Sequence, residues 1–424
     1  MSATIRKPGS LDPTFGDQGI AKPAYPDDSN GFISGLTITP DGKLLVTGRS
    51  GWNYAIICLN TDGSLYPGFG KNGVVTGVFE RGSISSAGHT SVLPDGRILL
   101  TGFFEETEHS PRLPAAARFH PDGRLDTTFG SGGTTVIRLP LDGPPPGIPN
   151  TVKNEGNLSS SVSSTVMQDG SFWMVSKHHY NFAESVGVLS KHQSDGALDT
   201  GFNKGHGYLL VRHPEYSTTI NAHLIQSDGA IILAGTAYVD GRSVALTARI
   251  TPDGTPDRTF GDSGFSLSTD ISQPTQILSI ALQNGNITGI GSTTASPQAG
   301  LIQNLSPDGS YNPTFNEGKP KITVIDESPF GSEWMDTTTD SNGNILVAGN
   351  SLGGEEADGL VGRYRPDGTP DERFGEENGI MRIKVGTSID RVAAIALQGD
   401  GRIVVAGDFH TSKGFRPYIA RILN

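Results

Sequence analysis

The sequence predicts an all-β protein: a seven-bladed β-propeller of four-stranded antiparallel blades, with its ring closed by an N-terminal strand that completes the last blade. Three observations carry this expectation. The string "LDPTFGDQG" near the start returns as "LDTTFGSGG", "TPDRTFGDSG" and "TPDERFGEENG". Apolar residues come in short β-branched bursts such as "KLLVTG", "RILLTG" and "RIVVAG", each behind an Asp-Gly or Asn-Gly turn. No segment sustains a helical period.

The repeat can be counted twice. Its aromatic anchor recurs as Phe15, Phe69, Phe129, Phe202, Phe260, Phe315 and Phe374, at intervals of 54, 60, 73, 58, 55 and 59 residues. The hairpin glycine before each apolar burst recurs as Gly42, Gly96, Gly170, Gly229, Gly285, Gly343 and Gly401. The two series interleave and both count seven. Each unit opens with a small, half-polar strand A ("RVAAIALQ") that turns at the first glycine into strand B ("RIVVAG"). Strand C follows a loop of variable length ("AAARFH", "LTARIT"), then a "PDG" turn and the "LDxTFG" segment lead into strand D ("GTTVIRL", "GYLLVR"). Asp-Gly suits these turns because glycine accepts positive φ and aspartate hydrogen-bonds its own turn. The 57 glycines and 27 prolines of the 424 residues fit many short strands.

The motifs "LDPTFG", "PDGKLLVTG" and "AARFHPDGRLDTTFG" resemble the bacterial delta-60 repeat family of β-propeller modules, over essentially the whole chain. The resemblance implies the propeller fold and no particular reaction. Two copies depart from the pattern: "DTGFNKGHG" and "YNPTFNEG" lack the glycine after Phe202 and Phe315.

Comparing the copies with one another exposes a pairing. Eight residues separate a basic strand-C position from the acidic position of "LD" in Arg118/Asp126, Lys191/Asp199, Arg249/Asp257 and Arg363/Asp371. Where the first is not basic the second is not acidic, as in Cys58/Tyr66 and Asn304/Asn312. Arg421 stands three residues from the last position, and the aspartate left over is Asp12. Residues 1–24 are therefore expected to close the last blade, 386–424, with Arg421 facing Asp12. The whole chain, 1–424, is expected to form one propeller.

The A–B and C–D connections hold both uniform motifs and should share one face. The B–C and D–A connections carry the length variation, including insertions at 103–114 and 141–160. Binding residues concentrate on such loops. Their aromatic and imidazole candidates are Trp52, Tyr54, Phe103, Phe104, His178, His179, Tyr180, Phe182, Tyr238, Trp334, Phe409 and His410. Rings of this kind stack on sugars, side chains or cations; the plainer alternative is that they pack beneath their loops. Most of the formal net charge of −12 falls on these loops, which favours neutral or cationic ligands.

The same charge disfavours nucleic acid and anionic membranes as partners. No stretch is long and apolar enough for a membrane span, and "MSATIRKPGS" lacks a signal-peptide core. With one cysteine, Cys58, a cytoplasmic protein is expected, or one exported without a cleavable signal, acting as a monomer. Six of the ten histidines lie between 178 and 223, yet no two share strand spacing on one loop, so no metal site is expected there. Seven residues before the hairpin glycines (six in the fifth repeat), positions expected near the axis are small except His89 and Asp336, with Glu333 close in sequence. These three are the catalytic candidates. The first functional expectation is a non-enzymatic module binding a protein or glycan, without cofactor. The alternatives are a propeller lyase or hydrolase with an axial pocket, where a divalent metal could enter, and a structural assembly component.

Overall fold

Every apolar burst forms a strand, and every hairpin glycine takes positive φ, from 82° to 85°. The computed structural model describes all residues except 1–6, 27–28, 83, 109, 142–162, 181–183, 326–329 and 354–356. The strands form seven four-stranded antiparallel sheets, the blades of a seven-bladed β-propeller. The short β1 (Ile20–Ala21) belongs to the last of them. Blade one is β2 (Gly31–Ile38), β3 (Leu44–Ser50), β4 (Asn53–Leu59) and β5 (Val74–Gly77). Blade two is β6 (Ile84–Val92), β7 (Ile98–Glu105), β8 (Leu113–Phe119) and β9 (Thr134–Val136). Blade three is β10 (Ser163–Val166), β11 (Phe172–His179), β12 (Ser185–His192) and β13 (Tyr208–Val211). Blade four is β14 (Ser217–Ile225), β15 (Ile231–Val239), β16 (Arg242–Ile250) and β17 (Phe265–Leu267). Blade five is β18 (Thr275–Gln283), β19 (Asn286–Thr293), β20 (Gly300–Leu305) and β21 (Lys321–Thr323). Blade six is β22 (Ser332–Thr339), β23 (Ile345–Ser351), β24 (Gly359–Tyr364) and β25 (Ile380–Ile383). Blade seven is β26 (Asp390–Leu397), β27 (Ile403–Thr411), β28 (Gly414–Ile422) and β1.

By packing, the chain divides into two compact units. One holds the N-terminal segment up to Gly51, Ile57–Val74 and Leu278–Asn424; the other holds Trp52–Ile56 and Val75–Ile277. Blades six and seven lie in the first, blades two and three in the second.

Blade seven is assembled from both ends of the chain. Ile20 pairs with Ala420 and Ala21 with Ile419, which places β1 outside β28. The N-terminal segment also supplies part of the turn. Gly9 N donates to Leu423 O (2.7 Å), Leu423 N to Ser10 O (2.9 Å), and Asp12 N to Arg421 O (2.8 Å). "PGS" at 8–10 thus stands where other copies have the C–D turn, and Gly9 has the positive φ, 79°, of a turn glycine.

The "LDxTFG" motif works as a latch. Its carboxylate meets the basic residue on strand C at 2.7 Å (Arg118/Asp126), 2.9 Å (Lys191/Asp199), 2.8 Å (Arg249/Asp257), 2.8 Å (Arg363/Asp371) and 3.0 Å (Arg421/Asp12). The other carboxylate oxygen accepts from the backbone N–H two residues on, and for Asp12, Asp126 and Asp257 also from the hydroxyl of a threonine there, Thr14, Thr128 and Thr259. The guanidinium stacks on the motif's own phenylalanine: Arg421 lies 4.8 Å from the Phe15 ring centre and Arg118 5.0 Å from that of Phe129. The phenylalanine, fully buried, packs on a turn glycine of the following blade, Phe15 on Gly63 and Phe129 on Gly196. The motif's glycine then donates to that next turn: Gly16 N to Asp62 O and Gly130 N to Asp195 O, both 2.8 Å. Each motif residue therefore has a defined task, and the motif joins one blade to the next.

The two departing copies put asparagine in the place of the motif glycine. Where the motif has Gly16 or Gly130 at φ 52°, they have Asn203 at φ 47° and Asn316 at φ 43°, opening short 3₁₀ turns. Asparagine tolerates this region because its side chain bonds locally. Asn203 Nδ2 donates to Tyr208 O at 2.7 Å, and Asn316 N still reaches Asp367 O at 2.8 Å.

Candidate functional site

The B–C and D–A loops divide the aromatic candidates into two groups. Tyr54, Phe103, Phe104 and Trp334 are buried. This corrects their placement on loops: Tyr54 lies in β4, Phe103 and Phe104 in β7, and Trp334 in β22. Tyr54 packs on Phe79 at 4.9 Å, Arg112 covers the Phe103 ring at 4.5 Å, and Trp334 meets Tyr364 edge-on at 6.4 Å. The strands run further than their β-branched bursts suggest, so rings next to a burst become core. Trp52 and Tyr238 instead stay exposed, at 58% and 54%. Both sit at B–C turns, Trp52 in the β3–β4 turn and Tyr238 one residue before the end of β15. His178 and Tyr180 form an edge-on pair at 4.6 Å at the half-buried end of β11, beside His179. Phe182 lies outside the described residues. In blade seven, Phe409 is half-buried under the Lys22 ammonium at 5.1 Å, and exposed His410 meets Phe415 at 5.1 Å.

A cation anchors this end of the first unit. The Arg391 guanidinium lies between the rings of Phe32 (5.2 Å) and Phe415 (4.3 Å), and its Nε donates to Asp408 at 3.0 Å. Burial raises the Asp408 carboxyl above its ordinary range, against the pull of Arg391. Burial likewise raises Glu333, opposed by an Asn350 hydrogen bond and by the charge of Arg391. Glu333 is thus placed near an arginine that already has a carboxylate.

Asp336 and His89 both follow a β-bulge in strand A, between Trp334 and Asp336 in β22 and between Ala87 and His89 in β6. The bulge re-aims the side chain after it. Asp336 Oδ1 accepts from Ser279 Oγ (2.8 Å) and Thr337 N (2.9 Å), and Oδ2 from Ile395 N (3.0 Å). Half-buried, with its carboxyl raised by desolvation, it ties β22 to β18 and β26. His89, in the second unit, has a buried Nδ1 without a partner, and burial pushes its pKa down to about 4. His223 is pushed down to about 3 by burial and then by His89. Two further histidines stack on rings, His192 on Phe172 at 4.8 Å and His213 on Tyr216 at 4.8 Å. Among the described residues no three His, Cys, Asp or Glu side chains gather as a metal site would require.

These features define a class, a repeat protein folded as a seven-bladed β-propeller. A family described as "Domain of unknown function (DUF5122) beta-propeller" matches residues 39–69, 93–129, 226–260, 341–374 and 398–424. The copies ending at Phe202 and Phe315, which carry asparagine for glycine, are the ones outside these matches. No curated protein sequence matches the chain. Similar solved structures include a polysaccharide lyase described as PL25-ulvanlyase, at 12% identity and a TM-score of 0.50, over 98% of this chain and 95% of that one. Virginiamycin B lyase from Staphylococcus aureus is similar at 12% identity and 0.49, over 95% and 98%. Sqt1 from Chaetomium thermophilum is similar at 11% identity and 0.49, over 98% of both. At such identities the likeness is one of fold. Among the described residues no helix is long and apolar enough to cross a membrane.

Proposed function

We propose that the chain is a binding module of the delta-60 type, working as a monomer without a cofactor, which holds a protein or glycan on the rings of its B–C turns. The observation that supports this reading is the contrast between Trp52 and Tyr238, left in solvent at B–C turns, and Tyr54, Phe103, Phe104 and Trp334, which are all buried. An exposed ring at such a turn can stack on a ligand. A propeller lyase or hydrolase using His89, Asp336 and Glu333 is the alternative. Against it, both oxygens of Asp336 already accept hydrogen bonds from Ser279, Thr337 and Ile395, which suits a staple better than a general base.

Fluorescence tests the proposal directly. Of the three tryptophans, Trp173 and Trp334 are buried, so the quencher-accessible emission belongs to Trp52. A ligand found on a glycan array or by pull-down should shield that emission, and Trp52→Ala with Tyr238→Ala should abolish capture without lowering the melting temperature. Capture that survives both substitutions would remove the proposal.

A further inference from the structure

Blade five is open where blades two and seven are filled by guanidinium groups. In those two blades a pair of arginines converges on the motif carboxylate. One comes from strand C, Arg118 on Asp126 at 2.7 Å and Arg421 on Asp12 at 3.0 Å. The other directly follows the hairpin glycine, Arg97 on Asp126 at 2.9 Å and Arg402 on Asp12 at 2.8 Å. The strand-C arginine also donates to a carbonyl in the C–D turn of the following blade, Ser194 O for Arg118 and Thr61 O for Arg421. In blade five the three corresponding side chains are all asparagine: Asn304 on strand C, Asn286 after Gly285, and Asn312 in the motif. The carbonyl position of the following turn falls to Pro366. The A–B turn is shorter as well. It consists of Asn284 and Gly285 alone, both at positive φ (51° and 83°), where blades one and six have five residues, 39–43 and 340–344.

Shorter side chains and a shorter turn leave a cavity of about 240 Å³ between blades five and six, within the first unit. Asn284, Asn286, Asn304 and Asn312 line it from blade five, Asn342 and Pro366 from blade six. Its walls are pinned. Asn312 Nδ2 donates to Asn304 Oδ1 and Asn304 Nδ2 to Thr288 Oγ1, both at 2.8 Å. Asp340 Oδ1 accepts from Asn342 N at 2.9 Å and holds the blade-six turn. Gln283 spans the two A–B turns, its Nε2 donating to Gly343 O at 3.1 Å and its Oε1 accepting from Gly343 N at 3.2 Å. The side chains of Asn284, Asn286 and Asn342 make no hydrogen bond among the described residues, and Asn304 and Asn312 each keep one amide hydrogen beyond the bonds above.

This lining selects for a neutral ligand. Among the described residues no charged side chain borders the cavity, so an ion seated there would meet mixed donors and acceptors and no counter-charge. Each carboxamide presents a donor and an acceptor side by side, and neighbouring hydroxyls of a sugar do the same. The volume is below the range of about 300–1,000 Å³ that takes drug-sized ligands, which limits the site to one small unit.

We propose that this cavity binds a single uncharged sugar unit through its hydroxyls. It lies among A–B and C–D turns of the first unit, whereas Trp52 and Tyr238 stand at B–C turns of the second, so either site can be removed without the other.

The test is saturation-transfer NMR on the full chain carrying Trp52→Ala and Tyr238→Ala, with D-glucose, D-galactose and D-mannose as probes. Transfer to at least one of these hexoses is expected, and the charged D-glucuronate and D-glucosamine should receive several-fold less. Asn304→Arg with Asn312→Asp, which refills the cavity with a guanidinium, should abolish the transfer. Should that pair fail to fold, Asn342→Leu at its exposed turn should lower the transfer several-fold. No transfer to any of the three hexoses, equal transfer to either charged sugar, or transfer unchanged in a folded cavity variant would each overturn the proposal.

Discussion

Two C–D latches of the first unit do one job with opposite chemistry. In blade seven the latch is charged and built from both chain ends: Asp12 accepts from Arg421 at 3.0 Å, from Arg402 at 2.8 Å and from Thr14. In blade five it is neutral and continuous: Asn312 Nδ2 donates to Asn304 Oδ1 at 2.8 Å, and Asn304 Nδ2 donates to Thr288 Oγ1 at 2.8 Å. The direction of the bond is reversed, yet Asn312 Oδ1 still accepts from the Thr314 N–H and hydroxyl, as Asp12 does from Thr14. What the latch requires is an acceptor for the turn and a complementary bond to strand C. Charge is one way of making that bond.

Breaking the blade-seven latch outright should have the largest effect. Removal of residues 1–24 takes away β1, the Gly9 turn and Asp12 together, and leaves a buried Arg421 and an open edge on β28. The expected outcome in urea is loss of the single cooperative transition; an unchanged midpoint would break the comparison. Asp12→Ala, which leaves Arg421 buried and short of its counter-ion, should cost about 3–5 kcal/mol. Gly9→Ala should also be costly. A Cβ there would lie 2.1 Å from Gly375 N, at a φ of 79°, so more than about 1 kcal/mol is expected in chemical unfolding.

The charged latches should also show themselves in acid. Burial raises the Asp371 carboxyl, but Arg373 and Arg363 hold it down at about 2, and Asp12 and Asp126 are likewise lowered. Depressed carboxyls contribute stability that is full above the unfolded value near 4 and is lost as pH falls from there toward 2. Buried His89, His192 and His223, pushed down to about 4, 4 and 3, add an earlier loss. The unfolded chain takes up protons below about 6.5 while these rings stay neutral in the fold, so stability declines from there downward. Unfolding free energy against pH should fall in two stages, and His223→Gln should flatten the first.

The smallest effects belong to blade five. Asn304→Ala should cost about 1–3 kcal/mol through the stranded Asn312 donor. The pair Asn304→Arg with Asn312→Asp, which copies blade six, should restore stability to within about 1 kcal/mol of the natural protein. A double variant no better than its worse single would mean that the latch is not interchangeable.

The blade count, the eight-residue pairing and the closing strand were legible because each rests on a residue type recurring at a fixed interval. Asp12 and Arg421 could be matched across the whole chain for that reason. The threonine of "LDxTF" stands in four copies, as Thr14, Thr128, Thr259 and Thr314, but its role as a donor to Asp12 needs the turn geometry to be seen. The bulges before His89 and Asp336 left no trace, since the inserted Gly88 and Met335 look like any other strand A residues. Ring exposure was the least legible feature. Phe103 and Trp52 both follow an apolar burst, and only the length of the strand decides that one is core and the other solvated.

The claim that the two chain ends build one latch is tested most directly by a double-mutant cycle on Asp12→Ala and Arg421→Ala, followed by urea unfolding. A coupling energy of about 2–3 kcal/mol is predicted, because each residue is buried against the other. Additive losses, agreeing within about 0.5 kcal/mol, would contradict it.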